Sequence, residues 1–124
     1  MTYSCWLLSD HSRDVLLDTF PPEFPDVIAH HVTVKNPSTI APDPASITVV
    51  GQIVDPTGVQ VLIVEVKVND EVVTRDDTVF HLTWSIDRSK GKKPFSSVDT
   101  IKRLYDDGFT PHDPIAIETT PAVC

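Results

Sequence analysis

Two short stretches of the chain carry the same residue types at the same spacing, His31-Val32-Thr33 and His81-Leu82-Thr83. Imidazole titrates near neutral pH, so two histidines can divide one reaction, one accepting a proton and the other donating one. A threonine hydroxyl two residues on can donate a hydrogen bond to a non-bridging phosphate oxygen. Two such pairs around one cleft would hold a phosphorus atom between the imidazoles. One imidazole would activate water while the other protonates the departing ribose oxygen in line. That chemistry requires no metal. Lys35, Lys92 and Lys93 would add positive charge around the anion.

Strand geometry decides whether the pairs can face one cleft, because residues two apart on a strand share a face. "DVIAHHVTVK" reads as one strand, with Ala29, His31, Thr33 and Lys35 on one side and Ile28, His30, Val32 and Val34 on the core side. In "TVFHLTWSID", Val79, His81, Thr83, Ser85 and Asp87 share a face, and Phe80, Leu82, Trp84 and Ile86 form the apolar one. Each strand thus turns its His-x-Thr away from the core. His30 falls on the apolar side and reads as a partly buried structural histidine, although a one-residue slip would exchange it with His31. A zinc site built from His30, His31 and His81 is disfavoured, because neighbouring strand residues point opposite ways. His11 and His112 lie at turn or helix-start positions. No Gly-rich phosphate loop, Ser-His-Asp order or catalytic-cysteine setting is visible.

The elements around these strands follow from turn and cap signals. "TYSCWLLS" reads as a strand, and Ser9 or Asp10 caps a short helix, "HSRDVLLDTF", that must end at Pro21-Pro22. A proline-rich loop runs from Asn36 to Ala45. Residues 46–75 read as an antiparallel meander, turning at Asp55-Pro56-Thr57-Gly58 and at Asn69-Asp70. After the His81 strand comes a basic loop, "RSKGKKPF". A second helix, "SSVDTIKRLYDDG", follows, with Ser96 and Asp99 as a capping box, Val98, Ile101 and Leu104/Tyr105 as its apolar stripe and Gly108 as its end. "DPIAIET" closes the chain as a strand. Each half therefore holds one helix and one histidine-bearing strand.

A chain of 124 residues suits one domain, residues 1–124, with a real core. A net charge of −8 argues against a broad grip on long duplex nucleic acid, yet leaves room for a single-phosphate pocket. No apolar run is long enough to span a bilayer, and "MTYSCWLLSDHS" lacks the basic start of a signal peptide, so a cytoplasmic location without membrane contact is expected. Cys5 reads as a core residue and Cys124 as a loosely held end, with no bridge between them expected in a reducing compartment.

At the two motifs, "HVTV" and "HLTW", and in Lys93-Pro94-Phe95-Ser96 after the second, the chain resembles the 2H phosphoesterase superfamily. The flanking "PDVIAHHVTVKNPS" and "VFHLTWSIDRSKGKKPFSS" resemble its small RNA-repair-like members. The resemblance implies an α+β fold of two pseudo-symmetric lobes of antiparallel sheet, one helix each, with a central cleft. It implies His31 and His81 as the acid/base pair and Thr33 and Thr83 as phosphate ligands, with Lys35, Ser85, Lys93 and Ser96 as further candidate substrate contacts. No cofactor is implied. The expected activity is hydrolysis of a 2′,3′-cyclic phosphate at an RNA end or on a nucleotide. The short chain and few basic residues argue against polynucleotide ligation. Cleavage of cyclic oligonucleotide signals, of the phage anti-defence kind, is the alternative within that chemistry. Tyr3 is a candidate to stack a base, whereas Trp84 belongs with the apolar face. Two readings from other classes stand beside these. One is a noncatalytic nucleotide-binding module; the other is a β-rich interaction protein whose two histidines lie far apart.

Overall fold

The computed structural model of the protein describes residues 2–35, 37–75 and 79–124. Strand β1 (Ser4–Leu8) leads into helix α1 (Asp10–Thr19). Ser9 caps the helix, its hydroxyl accepting from the Ser12 N–H at 3.1 Å, and the chain leaves the helix at Phe20, ahead of the two prolines.

The strand expected over residues 26–35 is broken. β2 covers only Asp26–Val27 and β3 only His31–Lys35. Between them Ala29 adopts φ 44°, a left-handed conformation that costs an alanine about 1–2 kcal/mol. Tertiary contacts hold it there. The Ala29 N–H donates to the Thr83 carbonyl at 3.1 Å, and Arg13 Nε donates to the Ala29 carbonyl at 3.2 Å.

The meander forms as β4 (Ser46–Asp55), β5 (Val59–Val68) and β6 (Glu71–Val73). Asn69 and Asp70 both take positive φ, the pairing that a tight hairpin requires. β7 (His81–Ile86) follows, then a single 3-10 turn at Arg88–Lys90 and helix α2 (Ser96–Gly108). The expected capping box is absent. Phe95 occupies the cap position without a side-chain bond, the Ser96 hydroxyl accepts instead from the Lys93 N–H, and Asp99 pairs with Arg103. The expected last strand begins earlier, as β8 (Phe109–Ile117), and a further strand, β9 (Thr119–Val123), follows it.

The fold is α+β. All paired strands are antiparallel, and the main sheet order is β8-β4-β5-β7-β3-β1-β9, with β2 beside β7 and β6 beside β5. β5 is buried on both faces, which explains its nearly continuous apolar run. Leu62, Val64 and Val66 join the cluster of Trp6, Leu16 and Trp84 on the α1 side. Val59, Val61 and Ile63 join Ile53 and Ile101 beneath α2. β3 and β7, the two histidine-bearing strands, are neighbours in this sheet and share one ladder pair, Val32 with Leu82.

Cys5 and Cys124 form a disulfide, contrary to the expectation of separate thiols, with Cα atoms 6.1 Å apart. The reason is non-local. β9 pairs with β1, and the Tyr3 and Cys124 backbones exchange both hydrogen bonds, at 3.3 and 2.8 Å, which brings the last residue diagonally beside Cys5. Among the described residues, no helix is long and apolar enough to cross a membrane.

Candidate active site

The seam between β3 and β7 places the two motifs. With Val32 opposite Leu82 in antiparallel register, the next residues outward set His31 toward Thr83 and Thr33 toward His81. Val32 and Leu82 are fully buried. Their neighbours turn the other way and line one cavity of about 380 Å³, which contains His31, Thr33, His81 and Thr83 together with Tyr3 and Ser97. All four residues of the two motifs are therefore brought together. Two unrelated strands with distant histidines do not describe this arrangement.

His81 is oriented from behind. Its Nδ1 lies 2.8 Å from the Val79 carbonyl, which can only accept, so Nδ1 carries the proton. In the neutral ring Nε2 then presents a lone pair, and it lies 3.1 Å from the Ser97 hydroxyl. Ser97 Oγ is also 2.9 Å from Thr83 Oγ1, and both hydroxyls reach the Pro94 carbonyl, at 2.9 and 3.1 Å. A hydroxyl has one proton, so Ser97 must choose between the Pro94 carbonyl, His81 Nε2 and Thr83.

His31 is held differently. Its Nε2 lies 3.1 Å from the Tyr3 hydroxyl and its Nδ1 lies 2.8 Å from Nδ1 of His30. Burial, then the neighbouring His30 and His81, lower its pKa from 6.5 to about 4, so the ring is neutral at pH 7. The His81 contribution places the two imidazoles within electrostatic reach of one another.

Ser97 is positioned by its helix. α2 is fastened to the β4–β5 turn by Asp55, a buried carboxylate that accepts from Thr57, from Thr100 at 2.9 Å and from Arg103. Burial alone pushes this carboxyl up. The bonds from the Thr57 hydroxyl and N–H, Arg103 and Thr100 outweigh it and hold the group well below the usual carboxylate range.

In comparisons with protein families, curated proteins and solved structures, nothing matches this chain.

Several expected contacts stand elsewhere. Ser85 does not share the cavity face, because β7 bulges. Gln60 pairs with Ser85 and Val61 with Thr83, which leaves Trp84 as an extra residue and reverses the alternation beyond it. Ser85 is fully buried and donates to Gln60 Oε1 at 2.6 Å, while Ile86 joins the α2-side cluster rather than the Trp84 side. Lys35 lines a neighbouring cavity instead. Lys93 is exposed, its Nζ 5.9 Å from the Phe95 ring centroid, and Ser96 is occupied with the Lys93 backbone. His30 is exposed rather than packed among Ile28, Val32 and Val34. The strand begins only after it, so the rule that adjacent strand residues diverge does not apply to its contact with His31. Trp84 is core, its Nε1 donating to the Phe20 carbonyl.

Sequence reading missed Ser97 and Arg75, which also lines the cavity, and it considered Tyr3 only for stacking. The signal for Ser97 was present. α2 buries Ser97, Thr100 and Ile101, an i, i+3, i+4 set in which two polar residues conceal the stripe from a purely apolar count.

Proposed function

We propose that the chain is a phosphodiesterase of the two-histidine kind, opening a 2′,3′-cyclic phosphate on a nucleotide or at an RNA end without a metal. The observation that carries this reading is the convergence of both His-x-Thr pairs on one cavity across the β3–β7 seam. The phosphate lies between the imidazoles, with its non-bridging oxygens on the hydroxyls of Thr33, Thr83 and Ser97, the last two turning their protons from the Pro94 carbonyl to the anion.

A base must start unprotonated. His31, neutral at pH 7 because of burial and its two histidine neighbours, takes that role. It removes a proton from water as the water oxygen bonds to phosphorus. The bond from phosphorus to one ribose oxygen breaks, and His81 delivers a proton to that oxygen from Nε2, its ring held by Val79 through Nδ1. The bound anion beside the rings favours their protonated forms, which strengthens His31 as a base. One water is consumed, and the product is a phosphate monoester beside a free hydroxyl. This arrangement resembles the 2H phosphoesterase pattern in its motifs and in the seam between two halves of one sheet.

The test is hydrolysis of nucleoside 2′,3′-cyclic phosphates and of cyclic-phosphate-ended RNA in chelator, by wild type, His31→Ala and His81→Ala. Turnover by wild type that disappears in each variant is expected. Absence of turnover on every substrate, or turnover that survives both substitutions, overturns the reading.

A further inference from the structure

His31 has a second histidine behind it. His30 Nδ1 lies 2.8 Å from His31 Nδ1, and the two rings meet nearly edge to face, at an interplanar angle of 85°. His30 follows the kink at Ala29 and precedes β3, and its backbone is pinned there by the Leu8 N–H, which donates to the His30 carbonyl at 2.9 Å. The two histidines face different spaces. His31 lines the histidine cavity with Tyr3, whose hydroxyl meets Nε2, so Nε2 is the cavity-side nitrogen. His30 is exposed and lines a separate cavity, of about 340 Å³, with Asp10 and Arg13.

Only one proton fits between two nitrogens at that distance. If His31 supplies it, a neutral His31 keeps its lone pair on Nε2, where the proposed reaction needs a base. If His30 supplies it, a neutral His31 carries its proton on Nε2, and the cavity side has no base. Tyr3 does not decide between them, because a hydroxyl donates to a bare nitrogen and accepts from a protonated one equally well. The choice rests with His30.

We propose that His30 is a positioning residue for the base: it accepts the Nδ1 proton of His31 and so keeps Nε2 bare toward the cavity. The inference rests on the phosphodiesterase reading above. When His31 takes the proton of the attacking water on Nε2, its ring becomes positive. Its Nδ1–H stays bonded to the His30 lone pair, which stabilises that charge without a further proton transfer. His30 acts through His31 and not on the substrate. A charged His30 reverses the arrangement. Both its nitrogens then carry protons, its Nδ1–H can only donate, and a neutral His31 must hold its own proton on Nε2. The charged and titratable groups around the pair are Asp10 and Arg13 in the His30 cavity, and Tyr3 and His81 in the His31 cavity.

The experiment reads the His31 ring nitrogens by NMR, and kcat and KM on nucleoside 2′,3′-cyclic phosphates, in wild type, His30→Ala and His30→Asp. His30 is exposed, so neither substitution opens the core. Aspartate keeps an acceptor at the same branch of the side chain, and its carboxylate only accepts. Near neutral pH the wild-type ring should show Nδ1 protonated and Nε2 bare. His30→Asp should show the same, and His30→Ala a mixture of both tautomers. Acidification that charges His30 should move the His31 proton to Nε2 in wild type and leave it in place in His30→Asp. In His30→Ala kcat should fall about tenfold or more with KM little changed, and His30→Asp should restore it. A wild-type proton on Nε2, or a tautomer in His30→Ala unchanged from wild type, overturns the inference. So does a kcat undiminished in His30→Ala, or one that stays as low in His30→Asp. If wild type turns nothing over, the hydrolytic reading falls alone, and the nitrogen spectra decide whether His30 holds the tautomer.

Discussion

The Ser97 hydroxyl stands 3.1 Å from Nε2 of His81 and 2.9 Å from the Thr83 hydroxyl, so the second His-x-Thr pair works as a trio. It is fixed to the first turn of α2, while its partners are fixed to β7. Any shift of the helix against the strand therefore shows first at the Ser97 hydroxyl, between His81 and Thr83.

Ser97→Ala tests that connection. The Pro94 carbonyl keeps its bond from Thr83, so stability should fall by only about 1 kcal/mol in urea denaturation. Loss of one donor to the charge that develops on phosphorus should lower kcat by about 100-fold with little change in KM. A variant that folds and turns over like wild type would confine Ser97 to holding the helix start.

His31 predicts a dependence of stability on pH. Its folded pKa, about 4, lies below the ordinary 6.5, so between these values the unfolded chain binds a proton that the folded chain refuses. Stability should be fully present above about pH 6.5 and decline as pH falls toward about 4, by up to about 3 kcal/mol. Denaturant melts across that window, in wild type and His31→Asn, measure it. The wild-type slope should exceed that of the variant, and equal slopes would show that another group is responsible. The imidazole resonances of His31, followed by NMR, should titrate near pH 4.

The Cys5–Cys124 bridge closes nearly the whole chain, with a sequence separation of 119, and ties the edge strand β9 to β1. Cys124→Ser should cost about 2–4 kcal/mol, because the unfolded chain regains the freedom that the crosslink removes. Amide exchange should accelerate most in β9, which among the described residues pairs only with β1, and least in β5, which is paired on both sides. Unchanged melts under reducing and oxidising conditions would contradict the bridge.

What was legible in the sequence was local. Ser9 before a helix, two prolines after it, Asn69-Asp70 in a hairpin and alternation around His31 and His81 each act within a few residues, and the fold follows them. What was hidden depends on partners far along the chain. Ala29 is bent by contacts to Thr83 and Arg13, the β7 bulge at Trp84 exists only in register with β5, and Cys124 meets Cys5 only once β9 finds β1. Ser85 and His30 were misplaced for this reason. Period-two counting holds along an unbroken strand and fails one residue past a bulge or a kink.

Asp55 offers the most exacting test, because it links fold to site without touching the cavity. Its carboxylate is buried, accepts from Thr57 twice, from Thr100 and from Arg103, and so binds α2 to the end of β4. Asp55→Ala leaves the Thr57 and Thr100 donors without their acceptor and should destabilise by about 1–3 kcal/mol. The sign with pH opposes any role at neutrality alone. A carboxyl held below its ordinary range contributes stability above about pH 4, and that contribution is lost as pH falls further. The acid limb should thus show two stages, the His31 stage above about pH 4 and the Asp55 stage below it. Asp55→Asn, which keeps the shape and removes the charge, should abolish only the lower stage. If α2 is what carries Ser97 to His81, the same variant should also lower kcat while its cavity residues remain wild type. A full kcat in a destabilised Asp55→Asn would mean that the Pro94–Ser97 turn holds its place without the Asp55 anchor.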